Sequence, residues 1–133
     1  MRRLHDLTGD RGAAAVEFAL VLPLLLLLVF GIIDFGRAYN AQVTLTQAAR
    51  EGARLAALSQ ANVVSRTQSA ALPLTGVAVA VTPCPAGSTG DAIVQTSYTF
   101  SFITPISAIS GLFGSSFGGP ISMTGRGVMR CQG

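Results

Sequence analysis

The longest uninterrupted pattern in the chain is apolar. Gly12 to Ile33, GAAAVEFALVLPLLLLLVFGII, has one acid, Glu17, near its start and no charged side chain from Phe18 to Ile33. Counted from Ala13, the run reaches about the 20 residues that an α-helix needs to cross a bilayer. In hydrocarbon the backbone must satisfy its own hydrogen bonds, which makes this segment a helix. Pro23 lies about three turns from the start at Ala13, where it is tolerated with a mild kink.

Past Ile33 the helical pattern continues. Asp34 and Arg37 stand at i, i+3 and can pair at the outer interface, while Phe35 and Tyr39 suit the headgroup level, as at an ordinary end of a membrane helix. From Tyr39 to Leu58 helix formers dominate, with no proline and Gly52 as the one interruption. At four-residue spacing Ala48, Gly52 and Ala56 form one small-residue row and Ala49, Ala53 and Ala57 a second, so another backbone can approach closely along this face. Such a row covers either the chain's own sheet or another subunit, and the first is expected because a small sheet needs a helix face over it. Glu51 and Arg54 at i, i+3, with Arg50 and Arg54 at i, i+4, read as a solvated face. Helical from Ala13 to Leu58, the element would span about 69 Å at 1.5 Å per residue.

Ser59 to Pro73 reads as a helix end, a short further helical turn and a connector. The period then changes to two. Val77, Val79 and Val81 alternate with Ala78, Ala80 and Thr82, which predicts a strand. The turn cluster Pro83 to Asp91 leads to the clearest strand, Ile93 to Ile103, with Val94, Thr96, Tyr98, Phe100 and Phe102 on one face and Gln95, Ser97, Thr99 and Ser101 on the other. These two strands should form an antiparallel hairpin, and Ile121 to Arg130 supplies a last strand. Between them Pro105 to Pro120 is rich in Gly and Ser but keeps Ile106, Ile109, Leu112, Phe113 and Phe117. A purely flexible linker would not carry these residues, so the loop is expected to fold back on the sheet rather than dip toward the membrane or a partner.

Composition agrees with this division. The 133 residues are 50% hydrophobic and 11% charged, which bounds the chain to one membrane segment and one small domain. The expected fold class is α+β: a long N-terminal membrane-spanning helix followed by a small antiparallel β-sheet domain. The expected parts are a cytoplasmic leader (1–12), a transmembrane helix (13–36), its extramembrane continuation (37–60) and a small exported β-rich domain (61–133). All nine basic residues are Arg and they are scattered, so a net charge of +3 gives little support for nucleic acid as a partner. Arg2, Arg3 and Arg11 sit in the short flank before the apolar run, where excess positive charge keeps the N-terminus in the cytoplasm and exports the rest. A single-pass membrane protein with a cytoplasmic N-terminus and an exported C-terminal part is expected.

Cys84 and Cys131 are the only two cysteines. Beyond the membrane disulfides form and persist, and a bridge between them would close a loop of about 46 residues, worth about 3 to 4 kcal/mol if unstrained. The alternative is two unrelated thiols. A metal site is disfavoured, since His5, the only histidine, falls on the other side of the membrane and there is no Cys-x-x-Cys spacing.

Glu17 is the most informative single residue. A carboxylate in an apolar phase costs a few kcal/mol on insertion scales and usually marks a function or a partner. The plain reading places it near enough to the interface to reach headgroups or water. A sharper one starts from spacing: a cut after Gly12 would make Ala13 the first residue and Glu17 the fifth, bringing a new amine and a carboxylate one turn apart. The small residues Gly12 to Ala15 precede the apolar run, unlike an ordinary secretory cleavage site, which follows it.

The pattern Gly12, four residues, Glu17 and Phe18, then a long apolar helix, resembles the processing site of type IV prepilins, which a membrane prepilin peptidase cuts after the glycine. The longer string from Gly12 through Asp34, Phe35, Gly36 and Arg37 to the run QAAREGARLAAL resembles the TadE family of minor pseudopilins of the tight-adherence (type IVb) pilus system. That likeness covers Gly12 to about Leu58, with a looser likeness of strand-like segments beyond. Major pilins of this class carry Tyr where this chain has Phe18, which favours a minor component. The resemblance implies a place in the bacterial inner membrane, processing between Gly12 and Ala13, and recognition by the peptidase through Gly12, Glu17 and Phe18. It implies pairing of Glu17 with the amine of a neighbouring subunit, where opposite charge offsets desolvation. Expected partners are the prepilin peptidase, other pseudopilins, pilus platform proteins and the lipid bilayer, with no cofactor and no small-molecule substrate.

Catalytic patterns do not emerge. Gly111, Gly114, Gly118 and Gly119 lack the spacing of a phosphate-binding loop, and beyond Asp34 the exported part has only Glu51 and Asp91 as acids. An enzyme is not expected. The competing accounts are an uncleaved single-pass protein whose outer domain binds an envelope component, and a soluble domain released by signal peptidase; the latter lacks a small-residue cleavage site beyond Ile33.

Overall fold

Five elements follow one another: α1 (Gly9–Ala57), α2 (Val63–Ala70), β1 (Ala78–Thr82), β2 (Asp91–Phe100) and β3 (Ile121–Arg130). The computed structural model describes residues 9–87, 89–105, 114 and 119–131. Together they form an α+β fold in which one helix runs through both halves of the molecule.

α1 has 49 residues and continues as α-helix through Pro23, a length of about 74 Å. It starts four residues before Ala13 and stops at Ala57. From Gly12 to Ile33 no side chain is buried; burial begins at Asp34 and recurs at Ala41, Leu45, Ala48, Ala49, Gly52, Ala53 and Ala56. Steps of three, four and seven residues keep these on one helix face. The first half of α1 is thus a bare apolar rod, and the second half is the roof of a small domain.

The helix is closed by its own last carbonyls. Ser59 adopts φ 52°, its N–H donates to the Ala56 carbonyl at 3.1 Å, and the Gln60 N–H donates to the Leu55 carbonyl at 3.0 Å. This is the paired arrangement of a Schellman cap, here built on a serine where glycine is usual. The reversal leads into α2, the eight-residue helix that the sequence suggested only as a short turn. Thr67 of α2 is fully buried against Gly52, and Gln68 Nε2 donates to the Val77 carbonyl at 3.1 Å, tying α2 to the entrance of β1.

The sheet is an antiparallel meander in the order β1–β2–β3, with Val79 opposite Thr96, Val94 opposite Gly127 and Phe100 opposite Ile121. Period-two alternation places Ala92, Val94, Thr96 and Phe100 of β2 under the helices, while Gln95 and Thr99 face outward with Thr124 and Arg126 of β3. α1 lies across β2 and β3, and the core between them is built mainly from small residues: Ala53, Ala56, Ala57, Ala92 and Val94 in one cluster, Leu45, Ala48, Ala71 and Val77 in the next.

Small residues draw the two layers into backbone contact. A Cβ on Gly127 would overlap the Ala49 carbonyl and stand 2.7 Å from the Arg50 nitrogen, and one on Gly125 would stand 2.5 Å from the Leu45 oxygen. Polar bonds cross the same seam. The buried Thr96 hydroxyl donates to the Leu45 carbonyl at 3.1 Å, and Gln42 Nε2 donates to the Thr124 carbonyl at 2.9 Å.

Two boundaries differ from the alternation read in the sequence. β2 begins at Asp91 because Asp91 is in register with Arg130, and it ends at Phe100, short of Ile103. The Ile103 and Thr104 N–H groups donate to the Asp34 carboxylate, so this part of the chain bonds to the helix instead of a neighbouring strand. The expected packing of Ile106, Ile109, Leu112, Phe113 and Phe117 lies outside the described residues. At the opposite end of the sheet Cys84 and Cys131 form a disulfide, with Cα atoms 5.8 Å apart, and both pack on the Ala53–Ala57 cluster.

Candidate functional site

Apart from the Cys84–Cys131 bridge, the residues singled out by the sequence lie along α1, at a low and a high position. Lowest is the segment Gly12, Ala13, Glu17 and Phe18. All four are exposed, the Gly12–Ala13 bond lies inside the helix, and among the described residues no cation stands within ion-pair distance of Glu17. The helix carries Glu17 on an otherwise apolar surface, with Phe18, Leu20 and Val21 all more than half exposed. A surface of this kind is covered in use by lipid or by other apolar helices.

Highest is the small-residue face. Ala48 packs with Leu45, Ala71 and Val77, Gly52 meets Thr67 and Val94, and Ala56 lies over Ala92 and Val94. The row is occupied by the chain's own sheet and by α2, and of the two uses considered for it the structure shows the intramolecular one. Glu51 and Arg54 approach to 3.8 Å with both side chains largely exposed, as expected of a solvated face.

Between these lies a junction that the sequence did not reveal. Asp34 is almost fully buried one residue past the apolar run. Its carboxylate accepts from the Arg37 guanidinium at 3.3 Å, from the Ile103 and Thr104 N–H groups at 3.4 Å each, and from the Thr104 hydroxyl. Arg37 in turn lies over the Phe100 ring, 5.2 Å from its centroid, and Phe100 meets Phe102 edge to face at 5.5 Å. The helix, the end of β2 and the following loop are therefore tied together where the apolar run stops. The i, i+3 spacing of Asp34 and Arg37 was visible, but the bonds to residues 69 and 70 positions away were not.

This junction yields a direct expectation. Asp34→Ala should speed hydrogen exchange of the Ile103 and Thr104 amides about tenfold, since each loses a charged acceptor. Glu51→Ala, which removes only the exposed pair, should leave those amides unchanged in the same deuterium-exchange measurement.

No three His, Cys, Asp or Glu side chains come together as metal ligands among the described residues. What the geometry offers is a surface for association: one candidate membrane-spanning helix near the N-terminus, with none of its most apolar stretch buried in the protein, continuing into a disulfide-bonded α+β head. Those features define a class of single-helix, membrane-anchored proteins with a small extramembrane domain. Within it, residues 12–54 match the family model described as TadE-like protein, and over that segment the chain is similar to that family. The match runs from the bare apolar rod into the helix face that covers the sheet. No curated protein and no solved structure matches the chain.

Proposed function

We propose that the protein is a minor, pseudopilin-like component of a tight-adherence pilus assembly system, cut by a prepilin peptidase after Gly12. The observation that carries this reading is the TadE-like match over residues 12–54, the stretch that also holds Gly12, Glu17 and the apolar helix. It supports a protein associated with the tight-adherence pilus; the cut and the minor-pseudopilin role are the further step. In this account the N-terminus is cytoplasmic, the head lies outside the inner membrane, and the role is structural, not catalytic.

Glu17 then acts in assembly. Exposed on an apolar helix, it is poorly solvated in the bilayer unless a cation meets it, and the amine created at Ala13 of a neighbouring subunit is such a cation. Cleavage requires the peptidase to unwind the start of α1, because Gly12 and Ala13 are helical and a scissile bond must be reached in extended form.

The test is the N-terminal residue and mass of the membrane-extracted protein, with and without an active prepilin peptidase. A chain beginning at Ala13 only where the peptidase is active, and left uncut by Gly12→Ala, is the expected result. Glu17→Ala should keep a measurable cut but lose co-purification with other pilus components. A chain that retains Met1 beside an active peptidase would sink this reading in favour of an uncleaved, membrane-anchored envelope-binding protein.

A further inference from the structure

A groove of about 560 Å³ opens between α1 and the sheet just above the apolar run. Its origin is the shortness of β1, which stops at Ala78 opposite Ser97 and leaves Tyr98 and Phe100 of β2 without a neighbouring strand on that side. One stripe of α1, from Ile32 to Thr44, forms the facing wall and climbs about 18 Å.

The wall changes character with height. Ile32 and Ile33 belong to the apolar run and are 65% and 50% exposed, so the floor of the groove is open to the bilayer. Above them Arg37 is held by Asp34 and by the Phe100 ring, yet 40% of its side chain remains accessible. Higher still, Thr44 donates to Asn40 Oδ1 at 3.3 Å, which leaves the Asn40 amide protons free to donate into the groove. Among the described residues no carboxylate lines it, and the neighbouring Asp34 has its oxygens engaged by Arg37, Ile103 and Thr104.

An apolar floor, a cation above it and hydrogen-bonding groups above that reproduce the order of a phospholipid whose acyl chains stay in the membrane. The volume also lies within the usual range of small-molecule sites, about 300 to 1,000 Å³. We propose that this groove binds one anionic phospholipid, with Arg37 on the phosphate and Asn40 and Thr44 toward the headgroup hydroxyls. The proposal rests on α1 crossing a membrane. It commits to a lipid over a second helix because a helix packed there would press apolar side chains against Arg37 and Asn40.

The test uses the full chain in nanodiscs holding equal parts of phosphatidylglycerol and phosphatidylcholine, released for native mass spectrometry. One phosphatidylglycerol retained per chain, about fivefold over phosphatidylcholine, is the expected result, and Arg37→Gln should erase that preference. Gly36→Leu should abolish retention: a Cβ there meets nothing within 4 Å, so the side chain fills the groove without disturbing the helix, as thermal unfolding will verify. Equal retention in Gly36→Leu, or no retained lipid from a chain that resists alkaline carbonate extraction, would overturn the lipid site while leaving the membrane reading intact. A dimer abolished by Gly36→Leu would assign the groove to a second copy and overturn it likewise. If carbonate strips the wild-type chain from vesicles, the membrane reading fails and the lipid site falls with it.

Discussion

Gly127→Ala is expected to destabilise the α+β head by about 2 to 3 kcal/mol, the upper part of the range for overpacking a close-packed interior. The added methyl group would be small, but what it meets is main chain: the Ala49 carbonyl and the Arg50 nitrogen of α1. A side chain can change rotamer to make room, whereas this segment of helix is fixed by its own hydrogen bonds and by the neighbouring seam, where Thr96 bonds to the Leu45 carbonyl. The whole layer must separate, which also weakens the contacts of Ala53 and Val94 in the same cluster. Gly36→Ala serves as the control, because its Cβ meets nothing within 4 Å and alanine is the better helix former. Denaturant unfolding of the detergent-solubilised chain will read both. A Gly127→Ala midpoint equal to that of the parent would show that the helix and sheet are not in backbone contact.

Breaking the disulfide should cost a similar or larger amount. Cys84 and Cys131 are 47 positions apart, and releasing a loop of that length from the unfolded chain corresponds to about 3 to 4 kcal/mol in the chain-entropy account. The expected consequence is specific to place. β1 is only five residues long and packs through Val79 and Val81, and the chain after it is held to the domain by this bridge and by the Cys131 N–H, which donates to the Gly90 carbonyl at 2.9 Å. Cys84→Ser, Cys131→Ser and the double variant should therefore unfold at one common, lower denaturant concentration, since each removes the same cross-link. Limited proteolysis should then cut first between Thr82 and Asp91. A double variant less stable than either single one would instead point to separate contributions from the two thiols.

Much of the architecture was legible because it rests on periodicity. The valines at positions 77, 79 and 81 and the alternation from Val94 to Phe100 marked two strands, and the apolar run together with the alanine rows marked one long helix. α2 was harder, since eight mostly polar residues are too few to establish a period, and they are held by Val63 on the Ala53–Val94 cluster, Thr67 against Gly52 and Gln68 on the Val77 carbonyl. The end of β2 was misplaced because Phe102 keeps the alternation going after the backbone has turned to Asp34. An acid just past an apolar run looks the same whether it faces headgroups or accepts bonds from a loop 70 residues away. Gly125 and Gly127 did leave a usable signal: two glycines on the same face of a strand mark a close backbone approach. The Gly12 to Phe18 pattern was legible only as a family likeness, because an exposed helical segment carries nothing in its local geometry that distinguishes a processing site from any other turn of helix.

Because α1 is one unbroken helix from the apolar rod to the roof of the sheet, and Asp34 fastens the loop after β2 at the point where the rod ends, the head has no swivel. Turning the helix about its long axis inside the bilayer turns the outward sheet face of Gln95, Thr99, Thr124 and Arg126 by the same angle. A neighbour that grips one stripe of the rod thereby also sets the compass bearing of that face, several nanometres away. The bearing of the apolar rod and the bearing of the sheet face are settings of a single dial.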